Sequence, residues 1–125
     1  MIPKFIVEML AGRQPTIFGD GTQSRDFVYV GDVVRGNMLA AESSKAVGKV
    51  INIASGRQYS LLDVVTAINR VLGTDIRPTL AEPRVGDVRD SLADISLARE
   101  LLNYAPTVDF EEGLRRTIYE FKARA

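Results

Sequence analysis

Apolar side chains at Ile2, Phe5, Ile6, Met9 and Leu10 recur at the spacing of one helical face, with Pro3 tolerable in a first turn and Gly12 as a stop. The same period returns at Leu61, Val64, Val65, Ile68, Val71 and Leu72. That run is opened by the capping-box pattern Ser60-Leu61-Leu62-Asp63 and closed by Gly73, so Ser60 is a cap rather than a nucleophile. A last helix carries Phe110, Leu114, Thr117, Ile118 and Phe121 on one face behind a second capping-box-like start at Asp109 and Glu112. Asp94 is placed to cap a helix through Ile95, Leu97, Ala98, Leu101 and Leu102, with Pro106 in the loop beyond, and Asp32 to cap one through Val33–Ala41.

Between these helices the period drops to two. Pro15–Phe18 and Asp26–Val30 flank Asp20-Gly21, a dipeptide suited to a tight turn, and together they predict a β-hairpin. In its second arm Arg25, Phe27 and Tyr29 share one face and Val28 and Val30 the other. Lys49–Ala54 is a short apolar run bounded by glycines, the pattern of a strand buried on both faces. Ile76–Leu80 predicts a further strand, at an edge because of Pro78. The predicted order is helix, hairpin, helix, strand, helix, strand, helix, helix. It describes a mixed α/β chain, helix-rich with short strands, in one domain spanning residues 1–125.

Composition narrows the chemistry. Sixteen basic and sixteen acidic residues cancel, and no basic run stands out, which argues against a nucleic-acid partner. There is no cysteine and no histidine, so disulfides, thiol chemistry and the commonest metal ligand are excluded. The amino-terminal apolar stretch is short and carries Lys4 and Glu8, so neither a signal peptide nor a membrane span is expected, in keeping with the cytoplasm.

Candidate chemistry concentrates in two motifs. Arg25 follows Gly19-Asp20-Gly21 at the mouth of a strand, where a guanidinium can offer its planar fork to a phosphate or a carboxylate. In a plain solvated hairpin it would pair with a neighbouring acid instead. The second motif, Arg84 to Ser96, reads RVGDVRDSLADIS. Arg84 and Asp87 could equally bond to each other, and Arg89 and Asp90 have no assigned contact.

Together the two motifs resemble the carboxyl-terminal part of the nucleotide-sugar epimerase and dehydratase family, the extended short-chain dehydrogenase/reductases, with the greatest likeness to UDP-sugar 4-epimerases. The resemblance covers essentially the whole chain. It implies a substrate-binding segment in which main-chain groups near Phe18 meet the base, Arg25 and Arg84 engage the diphosphate, and Asp87 takes a ribose hydroxyl. A diphosphate carries about two negative charges and needs donors converging from separate segments, which two arginines about sixty positions apart can supply.

The family's chemistry also needs NAD, a glycine fingerprint and a tyrosine followed four residues later by lysine. Tyr29, Tyr59, Tyr104 and Tyr119 are followed at that spacing by Val33, Asp63, Val108 and Ala123. The expectation is therefore a UDP-sugar-binding segment without its amino-terminal Rossmann domain, inactive alone and binding no cofactor by itself, with NAD belonging to the full-length parent. The resemblance also assigns the helix after Asp32 and the strand Val50–Ala54 to that missing sheet. Left unpaired, they favour a homo-oligomer or association with the missing half. The alternatives are the same segment of a dehydratase or decarboxylase, or a separate subunit that completes an NAD-binding chain.

Overall fold

The computed structural model describes residues 1–124. Five helices and four very short strands follow in the order α1 (Ile2–Leu10), β1 (Thr16–Phe18), β2 (Ser24–Arg25), α2 (Val30–Glu42), β3 (Tyr59–Ser60), α3 (Leu61–Leu72), β4 (Thr79–Ala81), α4 (Ser96–Leu102) and α5 (Phe110–Arg124), with one 3₁₀ turn at Ser44–Ala46. The mixed α/β, helix-rich class expected from the pattern holds.

The helical faces read from periodicity form the main core. Phe5, Ile6 and Met9 of α1 meet Val64, Val65 and Ile68 of α3, Leu114 and Ile118 of α5, and Ile17 of β1. Complete burial of a side chain such as Ile68 contributes about 1.5–3 kcal/mol. The local punctuation of α3 is as predicted. Asp63 N donates to Ser60 Oγ at 3.0 Å, Ser60 N donates to the Asp63 carboxylate at 2.8 Å, and Gly73 ends the helix in the left-handed region at φ 67°. At α5 half of the box forms: Glu112 N donates to Asp109 at 2.8 Å, while the Glu112 side chain turns forward to Arg115 and Arg116.

A second cluster gathers Ala54, Ile95, Ala98, Leu102 and Tyr104 beneath α2. Tyr104 is fully buried and its hydroxyl donates to Ala54 O at 2.8 Å. Gly36 lets this cluster close, since a Cβ there would lie 2.9 Å from Ile53.

Several expectations fail, most of them for a tertiary reason. The arms around Asp20-Gly21 do not form a hairpin. β1 pairs with β4 in parallel, Thr16 opposite Thr79, and β2 pairs antiparallel with β3, Arg25 opposite Tyr59. The turn's amides are taken by side chains instead: Thr22 N donates to Asp20 at 2.9 Å and Gly21 N to Gln23 Oε1 at 2.9 Å, which swings the chain away from β1. Residues 26–29 lie outside any strand because the Asp26 carboxylate accepts from the amides of Ser55 and Gly56 at 2.9 Å, and α2 starts at Val30.

Asp32 does not cap α2, whose cap position is Tyr29. It lies inside the first turn, 1% exposed, and accepts from groups that precede α5. The run Lys49–Ala54 forms no strand, and Val50 is 92% exposed. Among the described residues no strand lies beside it, so its backbone has no ladder to join. The strand predicted at Ile76–Leu80 forms later, at Thr79–Ala81, just past Pro78 and in a two-stranded sheet where each strand is an edge. Similarly, α4 begins at Ser96, whose amide donates to Asp94 at 2.9 Å.

Candidate functional site

β1 and β2 form the floor of the site. Thr79 N donates to Pro15 O at 2.8 Å and Gly19 N to Ala81 O at 3.0 Å, so alternate residues of β1 face β4. Strand alternation turns the main-chain groups of Thr16 and Phe18 the other way. There Gln23, buried to 6% exposure, donates from Nε2 to Phe18 O at 2.9 Å.

Residues 82–90, all exposed, cross over this floor as a strap. The pairing of β4 with β1 holds one end, and polar contacts fasten the other. Beyond β4, Arg89 O accepts from Ser24 N at 2.9 Å, Ser91 N donates to Ser24 O at 3.1 Å, and Asp90 accepts from the Ser24 hydroxyl at 2.7 Å. Arg89 also reaches the turn, 3.5 Å from the Asp20 carboxylate and hydrogen-bonded to the Thr22 hydroxyl. Donation from the Thr22 hydroxyl and amide, with Arg89 nearby, holds Asp20 below the usual carboxylate range. In the middle of the strap, Asp87 N closes a turn on Arg84 O at 3.2 Å, with Gly86 at φ 80°.

This arrangement brings all four candidate residues together. Phe18, Arg25, Arg84 and Asp87 line one cavity of about 650 Å³, within the size range of small-ligand sites. Arg25 donates to Ser24 O at 2.7 Å, to Arg89 O at 3.0 Å and to Asp87 Oδ1 at 2.9 Å. The Arg84 guanidinium lies over the Phe18 ring, 4.1 Å from its centroid. So Asp87 bonds to Arg25, 62 positions away, rather than to Arg84, and Arg25 finds an acid distant in sequence rather than a neighbouring one.

Lys4 and Gln23 line the same cavity and were not singled out from sequence. For Lys4 the pattern held no signal beyond its place on an amphipathic helix. For Gln23 there was one: an amide two residues past a glycine turn is within reach of that turn's free amide. Arg89 and Asp90, given no contact from sequence, fasten the strap. Three cations, Lys4, Arg25 and Arg84, line the cavity against two carboxylates, Glu8 and Asp87, a balance that suits an anion flanked by a planar group that can lie on Phe18. A second cavity, of about 610 Å³, lies between Tyr29, Arg57, Arg99 and Phe110 and contains none of the four. Among the described residues no cluster of acidic side chains could hold a metal ion, and no helix is long and apolar enough to cross a membrane.

A family model described as GDP-mannose 4,6 dehydratase matches residues 1–117. The chain is 36% identical over 118 residues to a putative UDP-glucose 4-epimerase of Methanocaldococcus jannaschii, covering 94% of this chain and 37% of that protein. Among solved structures, a UDP-glucose 4-epimerase of Thermotoga maritima with UDP-glucose superposes with a TM-score of 0.92 at 40% identity, over 98% of this chain and 39% of the other. A UDP-glucuronic acid 4-epimerase of Bacillus cereus, in complex with UDP-glucuronic acid and NAD, superposes at 0.94 with 37% identity, over 99% of this chain and 40% of the other. The chain thus spans a little over a third of the length of these relatives.

Proposed function

Because the chain belongs to this family of nucleotide-sugar epimerases and dehydratases, we propose that it is the UDP-sugar-binding segment of an NAD-dependent UDP-sugar 4-epimerase. The observation that carries the reading is the convergence of Phe18, Arg25, Arg84 and Asp87, from segments about sixty residues apart, on one cavity. In it the two arginines hold the diphosphate from both sides, main-chain groups at Phe18 meet the base, and Asp87 accepts from a ribose hydroxyl.

NAD does not fit the residues present. The strand-to-helix junction from β3 to α3 has no glycine turn, and Ser60 and Asp63 occupy the amides that a dinucleotide's pyrophosphate would need. No tyrosine has a lysine four residues on. No hydride step is therefore assigned to this chain, and on this reading it is inactive alone.

The reading calls for an NAD-binding half beside this segment, with a second copy of the segment as the alternative partner. Val30, Val34 and Met38 form an exposed stripe along α2, beside the unpaired run 49–54. Both features suit burial against a sheet. The reading places the protein in the cytoplasm.

Titration calorimetry with UDP, UDP-glucose and UDP-N-acetylglucosamine tests the site. A charge-assisted hydrogen bond contributes roughly 1.5–3 kcal/mol, so Arg84→Ala is expected to weaken binding by on the order of ten- to a hundredfold, and Arg25→Ala by at least as much. No binding to the wild-type chain, or binding indifferent to both substitutions, refutes the preformed site.

A further inference from the structure

In this structure the strap is closed on the floor by its own side chains. Asp87, the acid on the strap that faces the cavity, is bonded to Arg25, a guanidinium donor on the floor. Arg84, beside it, covers the face of Phe18. Both groups of the floor that would receive an anion and a planar ring are thus held by residues only three positions apart on one exposed turn.

Asp87 takes the Nη2 of Arg25 while Nη1 is held by Ser24 O and Arg89 O, so a bare phosphate anion that binds Arg25 through Nη2 displaces Asp87 or lies against it. It leaves that carboxylate beside a like charge with no new donor. A nucleoside diphosphate makes the same displacement but brings a ribose diol, two hydroxyl donors for the freed carboxylate, and a base that can replace Arg84 on Phe18. The exchange is therefore compensated for one ligand class and uncompensated for the other.

We propose that Asp87 is a specificity-determining residue, holding Arg25 against simple phosphate anions and releasing it to ligands that carry both a diphosphate and a ribose. The proposal rests on the nucleotide-sugar reading of the cavity and adds a selection role to it. Glu8 provides the control. It lines the same cavity but is bonded to Arg13 at 2.7 Å and 3.0 Å, with no contact to Arg25.

The test titrates inorganic pyrophosphate and UDP, at fixed ionic strength, into the wild-type chain and its Asp87→Asn, Glu8→Gln and Arg25→Ala variants. Asp87→Asn is expected to bind pyrophosphate on the order of tenfold tighter than wild type and UDP no tighter, so that the preference for UDP falls by at least that factor. Glu8→Gln is expected to keep the wild-type preference, and Arg25→Ala to lose both ligands. If UDP binds but Asp87→Asn leaves pyrophosphate affinity unchanged or still undetectable, the selection role is overturned while the nucleotide site stands. An equal gain in Glu8→Gln also overturns it, since bulk charge would then explain the effect. If UDP binds to none of the four proteins, the nucleotide reading falls and takes the proposal with it.

Discussion

Removing the carboxylate of Asp32 is expected to be among the most damaging single changes in the molecule. Asp32 accepts from Thr107 N at 3.0 Å, from the Thr107 hydroxyl at 2.8 Å and from Val108 N at 3.1 Å, with Arg35 at 3.4 Å. Arg35 in turn donates to Ala105 O and lies over the Tyr104 ring. One buried carboxylate thus ties α2 to the entire approach of α5. Asp32→Ala leaves two amides and the Thr107 hydroxyl without their acceptor and Arg35 with only Ala105 O, a loss of about 3–5 kcal/mol by analogy with other broken buried pairs. With a urea slope of about 1–3 kcal/mol per molar for a domain of this size, the unfolding midpoint should fall by about 1–5 M. Asp32→Asn should recover little, because its NH₂ would confront the same donors, and Thr107→Val should cost only about 1 kcal/mol.

The pH profile supplies an independent check. Burial pushes the Asp32 pKa up, but donation from the Thr107 amide and hydroxyl, the Val108 amide and Arg35 outweighs it, so the group titrates below the ordinary value of 3.8. Its stabilising contribution is complete above the ordinary value and is lost as pH falls through the depressed one. Equilibrium urea unfolding, followed by far-ultraviolet circular dichroism between pH 7 and the acid limit, should show a steep acid loss in wild type and a shallower one in Asp32→Ala. A loss under about 1 kcal/mol at pH 7, with an unchanged urea slope, would refute the assignment of Asp32 as the tie between α2 and α5.

Truncating Ile68 to Ala, fully buried between α1 and α5, should destabilise the chain by about 2–5 kcal/mol, read as a shift of the urea midpoint. Gly21→Ala should cost about 1–3 kcal/mol, because φ is 81° and a Cβ would lie 2.7 Å from Leu62; a melting temperature equal to wild type would contradict the close approach. The double variant Val34→Glu with Met38→Glu places two charges on the exposed stripe of α2. If that face mediates self-association, sedimentation equilibrium should show the variant shifted to monomer at concentrations where wild type is associated.

Much of the local structure was legible because its causes are local. The Ser60–Asp63 box, the Gly73 stop and the apolar faces of α1, α3 and α5 involve groups no more than one or two turns apart, and all three helices form where periodicity put them. The candidate residues were legible for a different reason. Phe18, Arg25, Arg84 and Asp87 stood out through two motifs that resemble a family, and they do line one cavity.

What escaped the sequence was partnership. Asp20-Gly21 has the chemistry of a hairpin turn, yet parallel pairing with β4, about sixty residues later, and the buried amide of Gln23 took the groups a hairpin would have used. Asp32 has the chemistry of a cap, yet its acceptor capacity went to Thr107 and Val108, 75 and 76 positions away. Lys49–Ala54 has the composition of a central strand, and no neighbour exists among the described residues to make it one. Helix periods and caps follow from covalent geometry and nearest neighbours, so the sequence determined them alone. Which carboxylate meets which guanidinium, and which strand edge meets which, depends on distances between segments that only the packed chain sets, and that packing brought Asp87 to Arg25.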